Sequence, residues 1–93
     1  MKRYEVLLTE RAERELKSIW VYVRSRFSTE AADRFIQEVR SGYLELETAP
    51  FRGHIRVRDI REIGVAQRRV TINFRVQNET VTVVAIRYRG RQH

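Results

Sequence analysis

Positions 51–93 carry ten arginines against three acids, Asp59, Glu62 and Glu79, whereas residues 1–50 hold nine basic and nine acidic side chains. The net charge of +7 therefore resides wholly in the second half of the chain. Arginine offers a planar, permanently charged fork that matches carboxylate or phosphate in a two-pronged contact. An imbalance of ten to three predicts an acidic partner for this half, either a nucleic acid or an acidic protein segment. The densest cluster is Arg87, Tyr88, Arg89 and Arg91, preceded by Arg69. Its arginines supply charge, and the Tyr88 ring could stack on or orient a nucleotide. The candidates for a proton-accepting base in this half are His54 and Glu62. Each also has a plainer role. His54 beside Gly53 fits a solvated turn, Glu62 between Arg61 and Ile63 fits a surface ion pair, Tyr88 fits the closure of a sheet edge, and arginines solubilise. With no cysteine and only two histidines, the chain has no disulfide framework, no thiol nucleophile and no cysteine zinc site. No metal and no cofactor are expected.

These side chains must be positioned by a small scaffold. Ninety-three residues suffice for one helix layer on one sheet and are too few for two cores, so a single domain, 1–93, is expected. At 42% hydrophobic and 33% charged the composition is globular, and no apolar window reaches the length of a membrane span. The run Val6-Leu7-Leu8 ends at Thr9, too short for a signal peptide, which predicts a cytoplasmic protein without a membrane anchor.

Residues 4–8 form a short apolar stretch that reads as a strand. Thr9 then offers a hydroxyl cap, Glu10 and Glu13 suit a first helical turn, and Ala12, Leu16, Ile19, Val23 and Phe27 recur at spacings of three and four. A helix over 10–26 follows. Ser28-Thr29 supplies a second cap, and Ala32, Phe35, Ile36, Val39, Tyr43 and Leu46 mark the apolar face of a second helix that Pro50 terminates. The short connection predicts an antiparallel helical hairpin. Of the aromatic residues on it, Phe27, Phe35 and Tyr43 are expected in the core and Trp20 partly exposed.

After the turn Pro50-Phe51-Arg52-Gly53 the period changes to two. Ile55 and Val57, then Ile60 and Ile63, suggest one or two short strands. Val70, Ile72, Phe74 and Val76 alternate with polar residues, 81–86 is a further strand, and Gln77-Asn78-Glu79-Thr80 is a hairpin turn. With Asn78 and Glu79 as loop residues, Val76 faces Val81, Phe74 faces Val83, Ile72 faces Ala85 and Val70 faces Arg87 on the helix side. The opposite face then presents Val84, Ile86 and Tyr88, with Arg69 across from Tyr88 and Arg75 across from Thr82, as a contact surface.

The order of elements resembles the ParE/RelE superfamily of bacterial toxin–antitoxin toxins, over nearly the whole chain. Tyr4-Glu5-Val6 with Ala12, Leu16, Ile19 and Tyr22 resembles the family's strand-to-helix opening, and Ala31-Ala32-Asp33-Arg34-Phe35 resembles the start of its second helix. Pro50-Phe51-Arg52-Gly53 resembles its Pro-x-x-Gly turn, and residues 69–76 and 81–91 resemble its last two strands. Tyr88 stands where ParE-like chains often have histidine, and Val70 where an aromatic is common. The resemblance implies an α+β fold of order β-α-α-β-β-β, with the helical hairpin packed on one face of a small antiparallel sheet.

It also implies two activities on one fold, since ParE-type members poison DNA gyrase and RelE-type members cleave mRNA on the ribosome. Metal-free RNA cleavage needs a base, cations for the phosphorane and an acid for the leaving oxygen. Here His54, Glu62, Arg69, Arg87 and Tyr88 would have to fill those roles. RelE-type nucleases usually carry extra lysine, histidine or glutamate on this face, whereas this chain has no lysine after Lys17. Arginines bind anions but do not readily exchange protons. The expected activity is therefore gyrase inhibition without catalysis, with Arg69, Arg87, Tyr88, Arg89 and Arg91 on the target. The implied resting partner is a cognate antitoxin, ParD-like or similar, forming a hetero-oligomer through Trp20, Arg75, Val84 and Ile86. The mRNA endonuclease is the alternative. A third class, a non-toxic basic nucleic-acid-binding module, is opposed by the lack of any helix-turn-helix, zinc-finger or aromatic ribonucleoprotein motif.

Overall fold

The computed structural model describes residues 2–90. Strand β1 (Glu5–Leu8) leads through Thr9 alone into helix α1 (Glu10–Arg26), and Phe27 and Ser28 lead into α2 (Thr29–Leu44), which tightens into a 3-10 turn at Glu45–Glu47. Four strands follow: β2 (His54–Val57), β3 (Ile60–Val65), β4 (Val70–Gln77) and β5 (Thr80–Tyr88). Both helix starts are where the sequence puts them, and for the expected reason. Thr9 Oγ1 accepts the Ala12 N–H at 3.1 Å and Ser28 Oγ accepts the Ala31 N–H at 3.0 Å, which satisfies amides that the first helical turn leaves unpaired.

The strands form one sheet in the order β1-β5-β4-β3-β2. Neighbours are antiparallel except β1 and β5, which are parallel, Val6 lying beside Val81 and Leu8 beside Val83. This corrects the expectation of a wholly antiparallel sheet, and parity explains it. Chain direction reverses at each connection, so three strands after the hairpin would end antiparallel to β1, whereas four end parallel. The stretch before Gly64 is two strands, joined at Arg58-Asp59, and the extra reversal flips the outcome.

The hairpin covers one face of the sheet. Ala12, Leu16, Ile19 and Val23 of α1 and Ala32, Phe35, Ile36, Val39 and Tyr43 of α2 meet Val65, Val70, Ile72, Phe74, Val81, Val83 and Ile86, and Leu46 completes the cluster. Gly42 permits the approach of α2 to β3, since a Cβ there would lie 2.6 Å from Val65. Phe27 differs from expectation: at the C-cap of α1 the backbone leaves helical geometry, and the ring is 73% exposed instead of completing the stripe.

Candidate functional site

The β4–β5 hairpin decides which side chains reach the uncovered face. Its turn is as expected: Asn78 and Glu79 have φ of 50° and 64°, and Gln77 pairs with Thr80. Val76 opposite Val81 and Phe74 opposite Val83 also follow from that turn. Beyond them Val84 is an extra residue, a bulge, and the pairing becomes Asn73 with Ala85, Ile72 with Ile86, Thr71 with Arg87 and Val70 with Tyr88. A one-residue slip exchanges the faces of everything that follows.

Two site expectations are corrected by this bulge, and a third by the tight turn over residues 66–69 that precedes β4. Ile86 is not on the open face; it is 2% exposed in the core. Tyr88 turns to the helix side, its ring 5.7 Å from Tyr22 edge-on and 5.3 Å from Phe35. Arg69 does not pair across the open face with Tyr88. Its guanidinium lies 4.8 Å over the Phe35 ring and 3.5 Å from Glu38 on α2, and Nε donates to the Ala66 carbonyl at 3.2 Å. Arg69 and Tyr88 do share a groove, but it is on the helix side, with Phe27, Arg34 and Phe35. The physical cause is apolar area. A regular hairpin would press Ala85 and Arg87 against the helices, whereas the bulged one buries an isoleucine and most of a tyrosine there and releases a charge.

The open face keeps Arg87 and Arg89, which line a shallow groove with Val84, Ala85, Thr71, Asn73 and Glu62. Arg56 from β2 and Arg11 from the start of α1 complete its rim. Glu62 is the only acid in this lining, and its Oε1 is 3.1 Å from Arg56 Nε and 3.4 Å from Asn73 Nδ2. His54, exposed at the start of β2, is the cross-strand partner of Glu62. Arg75 lies further along β4, opposite Thr82, with Nε 3.4 Å from Asp59. Arg91 lies outside the described residues. Trp20 is in the helix layer: Nε1 donates to Asp33 at 2.8 Å, tying the two helices, and Arg24 stands 5.1 Å over its ring. It lines a third groove, between the helices and β1, with Leu7, Leu8 and Ile36. Trp20 therefore shares no face with Arg75 and Val84, and one partner could touch all three only by wrapping an edge of the molecule.

Arg11, Arg56 and Glu15 were not singled out by sequence. Arg11 and Glu15 are an i, i+4 pair at 3.1 Å on α1, and Glu15 also accepts the Ile86 N–H at 2.7 Å. The only signal for Glu15 was an acid directly beside the apolar stripe at Leu16. Among the described residues no group of three His, Asp or Glu side chains is placed to hold a metal ion, and no helix is long and apolar enough to cross a membrane.

A family model for the ParE toxin of type II toxin–antitoxin systems, parDE, matches residues 6–93. The chain belongs to this family. Solved structures agree on the fold. A chromosomal ParDE system from P. aeruginosa superposes with a TM-score of 0.82 at 17% identity, covering 92% of this chain and 96% of that one. The RelBE2 toxin–antitoxin complex of Mycobacterium tuberculosis gives 0.71 at 17% identity, covering 98% and 97%. The RelBE complex of E. coli gives 0.64 at 17%, covering 95% and 99%. Among curated proteins the sequence has no significant match. The expected α+β architecture, a helical hairpin on one face of a small sheet, is that of these structures, and the chain is a member of the ParE family of type II toxins.

Proposed function

We propose that this toxin, residues 1–93 acting as one domain in the cytoplasm, inhibits DNA gyrase by binding and is not a nuclease. Arg87 and Arg89, with Arg91 following them in sequence, would carry the contact. The observation that supports this is the division of the site. Tyr88 and Arg69, which RNA cleavage would need beside the arginines, face the helix layer. The one acid lining the arginine groove is engaged by Arg56 and Asn73. The side chains that line the groove beside Arg87 and Arg89 are suited to binding anions, and among them only the engaged Glu62 could take up a proton. We further propose that a ParD-like antitoxin neutralises the toxin by laying an acidic segment along the groove rimmed by Arg11, Arg56, Arg87 and Arg89, with Val84 beneath it, and by extending to Trp20 around an edge.

One observation favours the alternative, a ribosome-dependent mRNA endonuclease: His54 stands in register with Glu62 on the sheet that bears Arg87. The experiment follows supercoiling by purified gyrase and mRNA cleavage on ribosomes in parallel. Arg87→Ala and Arg89→Ala should each reduce gyrase inhibition at least tenfold, while His54→Ala and Glu62→Gln leave it unchanged. These single changes are preferable to truncation after Ile86, which would also strip Tyr88 from Tyr22 and Phe35. Codon-dependent mRNA cuts lost in His54→Ala or Glu62→Gln would overturn the gyrase reading. Binding to nucleic acid without growth arrest would point to the basic binding module.

A further inference from the structure

The outer half of β5 has a strand neighbour on one side only. β1 ends at Leu8, level with Val83, so among the described residues no strand pairs with that edge of β5 from Val84 onward. Helix α1 and its cap residue Thr9 supply partners along and just before this edge. The Thr9 N–H donates to the Val83 carbonyl at 3.0 Å, Thr9 Oγ1 donates to the Val84 carbonyl at 3.4 Å, and Glu15 Oε1 accepts the Ile86 N–H at 2.7 Å. The other Glu15 oxygen is held by Arg11 Nε at 3.1 Å.

The last of these contacts depends on register. Backbone groups alternate in direction along a strand, so the amide aimed at α1 beyond Val83 belongs to Ile86 only because Val84 is bulged. In a regular hairpin that position passes to Ala85 or Arg87, and the side chains beyond it change faces. We propose that Glu15 is a positioning residue: by taking the Ile86 amide it selects the bulged register of β5, and through that register it places Arg87 and Arg89 on the open face. Its effect on toxicity rests on the gyrase-binding role proposed for those arginines, but its effect on register does not.

Reach and charge separate this role from a helix ion pair. Glu15→Gln keeps an acceptor oxygen at the same distance but loses the charge that Arg11 uses, whereas Glu15→Asp keeps the charge and draws the oxygens back by one methylene. Amide hydrogen exchange in the whole chain, read by NMR, is the first measurement. Drawing the acceptor out of reach of the Ile86 amide should speed its exchange about tenfold or more in Glu15→Asp, while Val39 and Phe74 stay protected and Glu15→Gln, which keeps an acceptor in place, remains close to the parent. Contacts between Tyr88 and the rings of Tyr22 and Phe35 should weaken in the same variant. The reverse order, with Asp protected and Gln exposed, or no change at Ile86 in either variant, would overturn the proposal. Gyrase inhibition is the second measurement and should fall with Glu15→Asp and persist with Glu15→Gln. If exchange and ring contacts behave as expected but inhibition does not follow, the positioning role stands and the assignment of Arg87 and Arg89 to the target fails.

Discussion

Replacing Ile86 by alanine measures the register of the last strand directly. In the bulged hairpin Ile86 is 2% exposed and packs in the main core, so the change removes three buried carbons. At about 0.8 kcal/mol per buried carbon, with a further contribution from the cavity left between sheet and helices, the loss should be about 3–4 kcal/mol. For a chain of this size that corresponds to a fall in melting temperature of about 15–20 °C. Slipping to the regular register offers no relief, because it would press the Arg87 guanidinium against the helix layer. Val84→Ala is the control, since Val84 is half-buried at the bulge and should lose about 1 kcal/mol or less. Urea unfolding followed by far-UV circular dichroism gives both numbers, with a common slope showing that the denatured states are comparable. A loss below about 1 kcal/mol for Ile86→Ala would place this side chain on the surface and refute the bulge, and with it the placement of Tyr88 and Arg87.

Gly42→Ala should destabilise by about 1–3 kcal/mol, because the new methyl meets Val65 at 2.6 Å, and Val65→Ala in the same chain should recover part of the loss in a double-mutant cycle. Antitoxin affinity should weaken as salt rises from low to high ionic strength without vanishing, since arginines and Val84 share the groove; a salt-independent affinity in calorimetry would remove the arginines from the interface. Glu79, 2.9 Å away, raises the Lys2 ammonium above its ordinary 10.5, first through the hydrogen bond and then through its charge. The small stabilisation from this exposed pair is full below 10.5 and is lost as pH rises through the raised value. An NMR titration of Lys2 should show it moving down in Glu79→Gln.

The helical hairpin, both caps, the Asn78-Glu79 turn and the alternation of β4 are legible in the residues alone, because each depends on neighbours within a few residues. Thr9 and Ser28 cap the amides next to them, and a two-residue turn fixes the pairing closest to it. The cationic excess of the second half was likewise plain from composition. Two other features depend on contacts far apart in the chain. The direction of β1 relative to β5 turned on whether residues 55–63 made one strand or two, and local pattern left both open. The face reached by Arg87 and Tyr88 turned on the bulge at Val84, and residues 81–86 are β-branched or apolar on both sides, so alternation carries no preference there. The helices made that choice: they cover isoleucine and tyrosine at greater gain than alanine and arginine, and α1 presents Glu15 to the amide that the bulge exposes.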